Sequence, residues 1–240
     1  MQYRMELLPQ YREAGADGFI GLKGYMNYCQ DAATWHMHTF GLGNDRLIEE
    51  FSIAWMFTKC HITLLGKGDY TAPVSVETGM TDIQKARVDR DFRITQEGRL
   101  LALARIENCL YHLHENRLCR LQEIGFPDLE PDPPLEDTGI IKIKRDISGM
   151  QKVYERKVLY SDLDKSRHMN NLHYTDLFMD AFPPVFYEER NITGYDINYI
   201  SQGFYGDVLG VYMKHGENDS VMAAVKEDGK IAALARMAYS

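Results

Sequence analysis

The sequence predicts an α+β fold of two tandem units, each a helix wrapped by an antiparallel sheet. Three observations predict it. The stretch PDLEPDPPLEDTG, residues 127–139, holds four of the chain's eight prolines and divides its 240 residues near the middle. Segments before this stretch reappear after it in the same order. Strand-like runs also follow one another too closely for crossover connections, so neighbouring strands must be antiparallel.

The first unit, residues 1–126, opens on a helical segment around MNYCQDAA, residues 26–33. Strand candidates follow at residues 52–64, 72–82, 85–96 and 99–113. The proline stretch, extended to residues 127–147, reads as a solvated linker, because proline blocks helix and removes a backbone donor. The second unit, residues 148–240, begins with a strand at 153–160 and continues with a helix. Leu172, Leu177, Phe178 and Phe182 share one face of that helix. Strands at 194–203, 207–215, 219–226 and 230–239 complete it. The repeat ties EGRLLALAR to DGKIAALAR, so that Gly98 meets Gly229 and Arg105 meets Arg236. It also ties Gly68-Asp69 to Gly206-Asp207, and Tyr28 to Tyr174.

Composition narrows the function. A hydrophobic fraction of 45% belongs to a globular protein, and a net charge of −8 opposes nucleic acid as a partner. The charged N-terminal segment and the lack of a long apolar run argue for a cytoplasmic protein with no membrane insertion. Cys29, Cys60, Cys109 and Cys119 have no metal-ligand spacing and read as reduced thiols. His36 and His38 diverge on a helix, and His61 reads as a packed strand residue. No metal and no cofactor is expected.

The stretch SDLDKSRHMNNLHYTDLFMDAF, residues 161–182, sets Asp164, Ser166, His168, Asn170 and Asn171 just ahead of an apolar helix. Such residues cap helices well. Carried back by the Tyr28–Tyr174 offset, however, Asp164, Ser166 and His168 fall on Gly18, Ile20 and Leu22. A shared structural need would appear in both copies, so the polar cluster points to chemistry. A carboxylate and an imidazole beside a helix N-terminus can activate water and stabilise an oxyanion.

DLDKSRHMNNLHY resembles the signature of the acyl–acyl carrier protein thioesterases, D-x-N-x-H-V-N-N-x-x-Y. The resemblance covers nearly the whole chain. It includes MNYCQDAA, Gly41 to Gly43, SIAWMFTKCHITL with Trp55, and YISQGFYGD. It implies a double hot-dog fold, an acyl pocket in the first unit and catalysis in the second. The reaction would be hydrolysis of an acyl carrier protein thioester, releasing free fatty acid. Asp164, Ser166, His168 and Gln202 would be catalytic. Asn170, Asn171, Met26 and Trp55 would touch substrate. The alternatives are the same fold acting on acyl-CoA, or a non-catalytic acyl-binding protein. Two departures stand out: Ser166 replaces the family's asparagine, and Gln202 its glutamate. Gly203 occupies the position of a cysteine found in some members. An acidic carrier protein calls for a basic surface, and Lys142, Lys144, Arg145, Lys165 and Arg167 are the candidates. Free sheet edges leave a homodimer open.

Overall fold

A computed structural model describes residues 2–135, 139, 140 and 142–240. The chain forms two compact units, Met1–Ile140 and Ile141–Ser240. Glu136, Asp137, Thr138 and Ile141, part of the expected linker, lie outside the described residues.

The first unit contains β1 (Tyr3–Leu7), α1 (Leu22–Thr39), α2 (Asn44–Phe51) and β2 (Ile53–Leu64). It continues with β3 (Val74–Ile83), β4 (Arg87–Gln96), β5 (Arg99–His112) and β6 (Arg117–Cys119). Its strand order is β1-β3-β4-β5-β2, every pairing antiparallel, with β6 added along the end of β5. The four long strands carry runs of buried residues, with β-bulges interrupting the ladders between β2 and β5, β3 and β4, and β4 and β5. α1 buries Leu22, Tyr25, Met26, Cys29, Ala32, Ala33, His36 and Met37, a single face at helical spacing. That face packs on β1, β3 and β4. Beneath it Arg90 is wholly buried and donates to His36 Nδ1 (2.8 Å) and Met37 Sδ (2.7 Å). Burial pulls the Arg90 pKa down to about 10.

The second unit contains β7 (Gln151–Lys157), α3 (Asn171–Met179), α4 (Pro184–Glu189) and β8 (Ile192–Tyr199). β9 (Val208–His215), β10 (Asp219–Lys226) and β11 (Ile231–Tyr239) follow. Its order, β7-β9-β10-β11-β8, reproduces that of the first unit strand for strand. α3 packs Tyr174, Thr175, Leu177 and Phe178 inward. Fully buried alanines at 223, 224, 232, 233 and 235 fill the sheet.

Several expectations shift. The second helix ends at Met179 rather than running on to Phe182, because Pro183 and Pro184 force a new helix start in α4. The strand expected at 194–203 stops at Tyr199, and the one expected at 153–160 runs from Gln151 to Lys157. β1 and α2 were not anticipated. The proline stretch is not simply solvated. The Asp132 N–H donates to Met80 O (2.7 Å), and Leu135 N–H donates to Asp91 Oδ2 (3.2 Å), so this segment is laced to β3 and β4.

The repeat holds at one end and slips at the other. Gly98 and Gly229, both left-handed, make equivalent hairpin turns. At the helices the register is 149, not 146. Ala14 bridges Ile20 in the first unit as Leu163 bridges Met169 in the second. Gly18 and Arg167, at φ +80° and +64°, occupy the same loop position. Tyr25, not Tyr28, therefore matches Tyr174, each the fourth residue of its helix. Likewise Gly68 matches Gly203 rather than Gly206: Ile20 N–H donates to Gly68 O (2.8 Å) and Met169 N–H to Gly203 O (2.9 Å).

Candidate active site

A loop in the second unit gathers the polar cluster. Tyr160–Asp162 forms a 3₁₀ turn. Asp162, with its side chain buried, accepts from Leu159 N–H (2.8 Å) and pairs with Arg156. The Leu163–Met169 bridge then closes residues 164–168 into a tight bend, held by Asp164 N–H to His168 O (2.9 Å) and Arg167 N–H to Asp164 O (3.0 Å). Arg167 takes the left-handed conformation at the bend.

This bend brings three of the expected residues together. Asp164 Oδ1 accepts from Ser166 N–H (2.8 Å) and from Ser166 Oγ–H (2.5 Å). Ser166 Oγ also lies 3.0 Å from His168 Nδ1. With its proton committed to the carboxylate, the hydroxyl can meet the imidazole only as an acceptor, so Nδ1 carries the hydrogen and Nε2 a lone pair. The Phe204 ring packs on His168 in a T-shaped pair, with ring centroids 5.0 Å apart. Burial holds the His168 pKa below the ordinary imidazole value. Asp164 opposes that shift and Lys226 adds to it.

Asn170 is the N-cap of α3: its Oδ1 accepts from Leu172 N–H (2.9 Å), and its own N–H is bound by Asp162 O (2.8 Å). Asn171 is the first helical residue, and its carbonyl accepts from Tyr199 OH (3.2 Å). Gln202 enters through its backbone carbonyl, which accepts from Lys226 Nζ at 2.6 Å. Lys226 also pairs with Asp207 (2.9 Å) and lies over the Phe204 ring. At Gly203 a Cβ would come within 2.8 Å of Tyr174 Oη, so the backbone there has no room for a side chain without local movement.

Met26 and Trp55 sit in the first unit. Met26 is buried on α1, its sulfur 3.4 Å from Cys60 Sγ. Trp55 packs against the cluster of Met37, Leu42, Leu47 and Met80, and donates its indole N–H to Leu42 O (3.1 Å). The two are not in one described cluster.

The corrected register sharpens the comparison between units. Asp164 falls on Gly15, Ser166 on Asp17 and His168 on Phe19. The first unit thus does place a carboxylate opposite one of the three, where Asp17 accepts from Phe19 N–H and pairs with Lys67. It still lacks a counterpart to Asp164 and His168. Asp162, which sequence reasoning missed, matches Glu13. Glu13 accepts from Gln10 N–H, Asn27 and Tyr28, so a hydrogen-bonded carboxylate here is architecture common to both units. The pairs Tyr11/Glu13 and Tyr160/Asp162 were the signal that could have found it. Among the described residues no group of three or more histidine, cysteine or acidic side chains is arranged to hold a metal ion. All four cysteines are buried and none forms a disulfide.

Comparison with known proteins fits this layout. The family model described as the acyl-ACP thioesterase N-terminal domain matches residues 1–124, and that of the C-terminal domain matches residues 147–239. The palmitoyl-acyl carrier protein thioesterase of Cuphea hookeriana is 25% identical over 202 residues, 78% of this chain and 48% of the relative. The dodecanoyl-[acyl-carrier-protein] hydrolase of Cinnamomum camphora is 22% identical over 203 residues, 78% of this chain and 52% of the relative. Both are chloroplastic, and the chain spans about half their length. The crystal structure of an acyl-ACP thioesterase from Bacteroides thetaiotaomicron superposes with a TM-score of 0.83 at 19% identity, covering 100% of this chain and 98% of that one. The 12:0-ACP thioesterase from Umbellularia californica gives 0.81 at 19%, covering 100% and 97%. These likenesses establish the double hot-dog fold.

Proposed function

The chain belongs to the acyl-ACP thioesterase family, and from that premise we propose that it hydrolyses the thioester of an acyl carrier protein to release free fatty acid. The observation that carries this reading is the Ser166 hydroxyl bridging Asp164 and His168. The bridge leaves His168 Nε2 as a base. Water gives a proton to Nε2 as its oxygen attacks the thioester carbonyl. The positive end of the α3 dipole stabilises the developing oxyanion. As the intermediate collapses, the C–S bond breaks and the imidazolium returns the proton to the leaving thiolate.

Asp164 orients and charges the bridge, and the Gln202 amide orients the water. Ser166 thus serves where the family has an asparagine, since a hydroxyl also accepts from Nδ1–H and donates onward. The first unit holds the acyl chain, with the soft, apolar buried face of α1, including Met26, as its wall. Trp55, already bound to Leu42, supports that wall. Lys165 and Arg167 interleave with the site and favour an acidic carrier. No described helix is long and apolar enough to cross a membrane. The buried thiols suit a reducing compartment such as the cytoplasm.

The test is free-thiol release from acyl chains of several lengths on carrier protein and on coenzyme A. Turnover on carrier protein supports the reading. Turnover on coenzyme A alone would replace the carrier, and binding without release would make the protein an acyl binder.

A further inference from the structure

The two units tie down the same loop with different chemistry. In the first, the loop after β2 is held by Gln96, the last residue of β4. Gln96 Nε2 donates to Asp69 O (2.6 Å) and Ala72 O (2.9 Å), while its Oε1 accepts from Asp69 N–H (2.8 Å). In the second, the equivalent loop after β8 is held by Lys226, the last residue of β10. Lys226 Nζ donates to Gln202 O (2.6 Å), pairs with Asp207 Oδ2 (2.9 Å) and lies 5.3 Å from the Phe204 ring centroid. A neutral amide therefore suffices for holding the loop. An ammonium needs desolvation and a partner carboxylate to do the same job, and the Lys226 side chain is only 15% exposed. The unit that carries the imidazole is the one that uses the charge.

We propose that Lys226 is a positioning residue of the active site, pinning the Gln202–Asp207 turn against His168 and using its charge to keep that imidazole neutral. The geometry supports both parts. The turn Lys226 holds presents Phe204 to the His168 ring and the Gly203 carbonyl to Met169 N–H. The charged groups acting on His168 are Asp164 on its own loop, which favours the imidazolium, and Lys226 from β10, which disfavours it. Asp207, on the turn, partly neutralises Lys226. Burial is the largest influence on His168; with Lys226 beside it, burial outweighs Asp164, and the base stays unprotonated to lower pH than a free imidazole.

The rate consequence rests on the proposed thioesterase reading, but the charge effect does not. Histidine-labelled protein, with the His168 resonance assigned through His168→Gln, is titrated by NMR alongside a pH profile of kcat/KM. Lys226→Gln copies the first unit's device, so the fold and loop should persist while the His168 pKa rises. The acid limb of kcat/KM should move to higher pH with it. Lys226→Arg should return both to the wild-type value. Asp207→Asn, which leaves the ammonium less neutralised, should move the His168 pKa the opposite way, downward. A merely structural lysine would not produce shifts of opposite sign. An unshifted His168 in Lys226→Gln, or shifts of the same sign in both variants, overturns the proposal. If Lys226→Gln fails to fold, Lys226→Met decides in its place: a raised His168 pKa supports the proposal, and no change overturns it. If no thioester is hydrolysed, the NMR titration decides the charge effect unaided.

Discussion

Ser166 holds two partners through one oxygen, and a single substitution separates its roles. Ser166→Ala removes the link between Asp164 and the imidazole, so His168 loses its fixed tautomer. Ser166→Asn restores the family's residue and should keep most of the activity. Asp164→Ala and His168→Ala should each lower kcat by about 10²-fold or more, the scale of a general base, with KM little changed. Steady-state kinetics on the best substrate check this. The pH dependence has a definite sign. Burial disfavours the imidazolium, so the acid limb of kcat/KM should lie below the ordinary histidine value of 6.5. A limb above 6.5 would mean that Asp164 dominates, or that another group is the base. Asp164, Ser166 and His168 were legible in the sequence because they lie within five residues and meet through one tight bend. Lys226 was not, because it arrives from another strand and no spacing links it to His168.

Elements explain where the register slipped. The helix of the first unit offers two tyrosines in GYMNY, and the sequence alone does not say which one begins the shared core contact. The structure chooses Tyr25, whose hydroxyl reaches Gly66 O at 2.8 Å in the turn that corresponds to Gly203. The long strands were legible as apolar runs opened by turn signals such as Glu97-Gly98 and Asp228-Gly229. β1 was missed because YRMEL is short and charged, and its identity depends on pairing with β3. The proline stretch was read as solvated because its composition is polar, yet one of its carboxylates and three of its backbone groups are spent on β3 and β4. Asp91 shows how strongly this matters. It is buried, accepts twice from Arg105 (2.5 and 2.8 Å) and also accepts from Leu135 N–H. Asp91→Asn removes the buried charge that the half-buried Arg105 guanidinium grips through two bonds and should cost about 2 kcal/mol. Urea unfolding should show a lower midpoint at unchanged slope. A cost under about 1 kcal/mol would mean that Arg105 finds water instead.

Across the whole molecule, charge is divided unevenly. Residues 1–140 carry 14 basic and 21 acidic residues, whereas residues 141–240 carry 13 and 14. Within residues 141–170 the balance reverses, with eight basic residues against four acidic. The net −8 therefore hides a locally basic segment leading into the site loop. An acidic carrier protein steered by this segment should lose kcat/KM steeply as salt rises, while a short pantetheine thioester should lose little. Lys165→Glu with Arg167→Glu should flatten that dependence. Equal salt dependence for both substrates would remove the steering argument and leave the carrier to be set by other contacts.

The central claim is that the Asp164–Ser166–His168 bridge hydrolyses an acyl thioester with Gln202 at the position where the family resemblance implies a glutamate. The most direct measurement is single-turnover release of fatty acid from acyl carrier protein by three proteins: wild type, His168→Ala and Gln202→Glu. The account predicts turnover by the wild type and a loss of about 10²-fold or more in His168→Ala. With the Gln202 side chain facing the water as proposed, it also predicts a change on the acid side of the pH profile in Gln202→Glu, because two carboxylates at one site raise a carboxyl pKa. An inactive wild type that gains hydrolysis only as Gln202→Glu would contradict it, and so would a His168→Ala variant that keeps near-full activity.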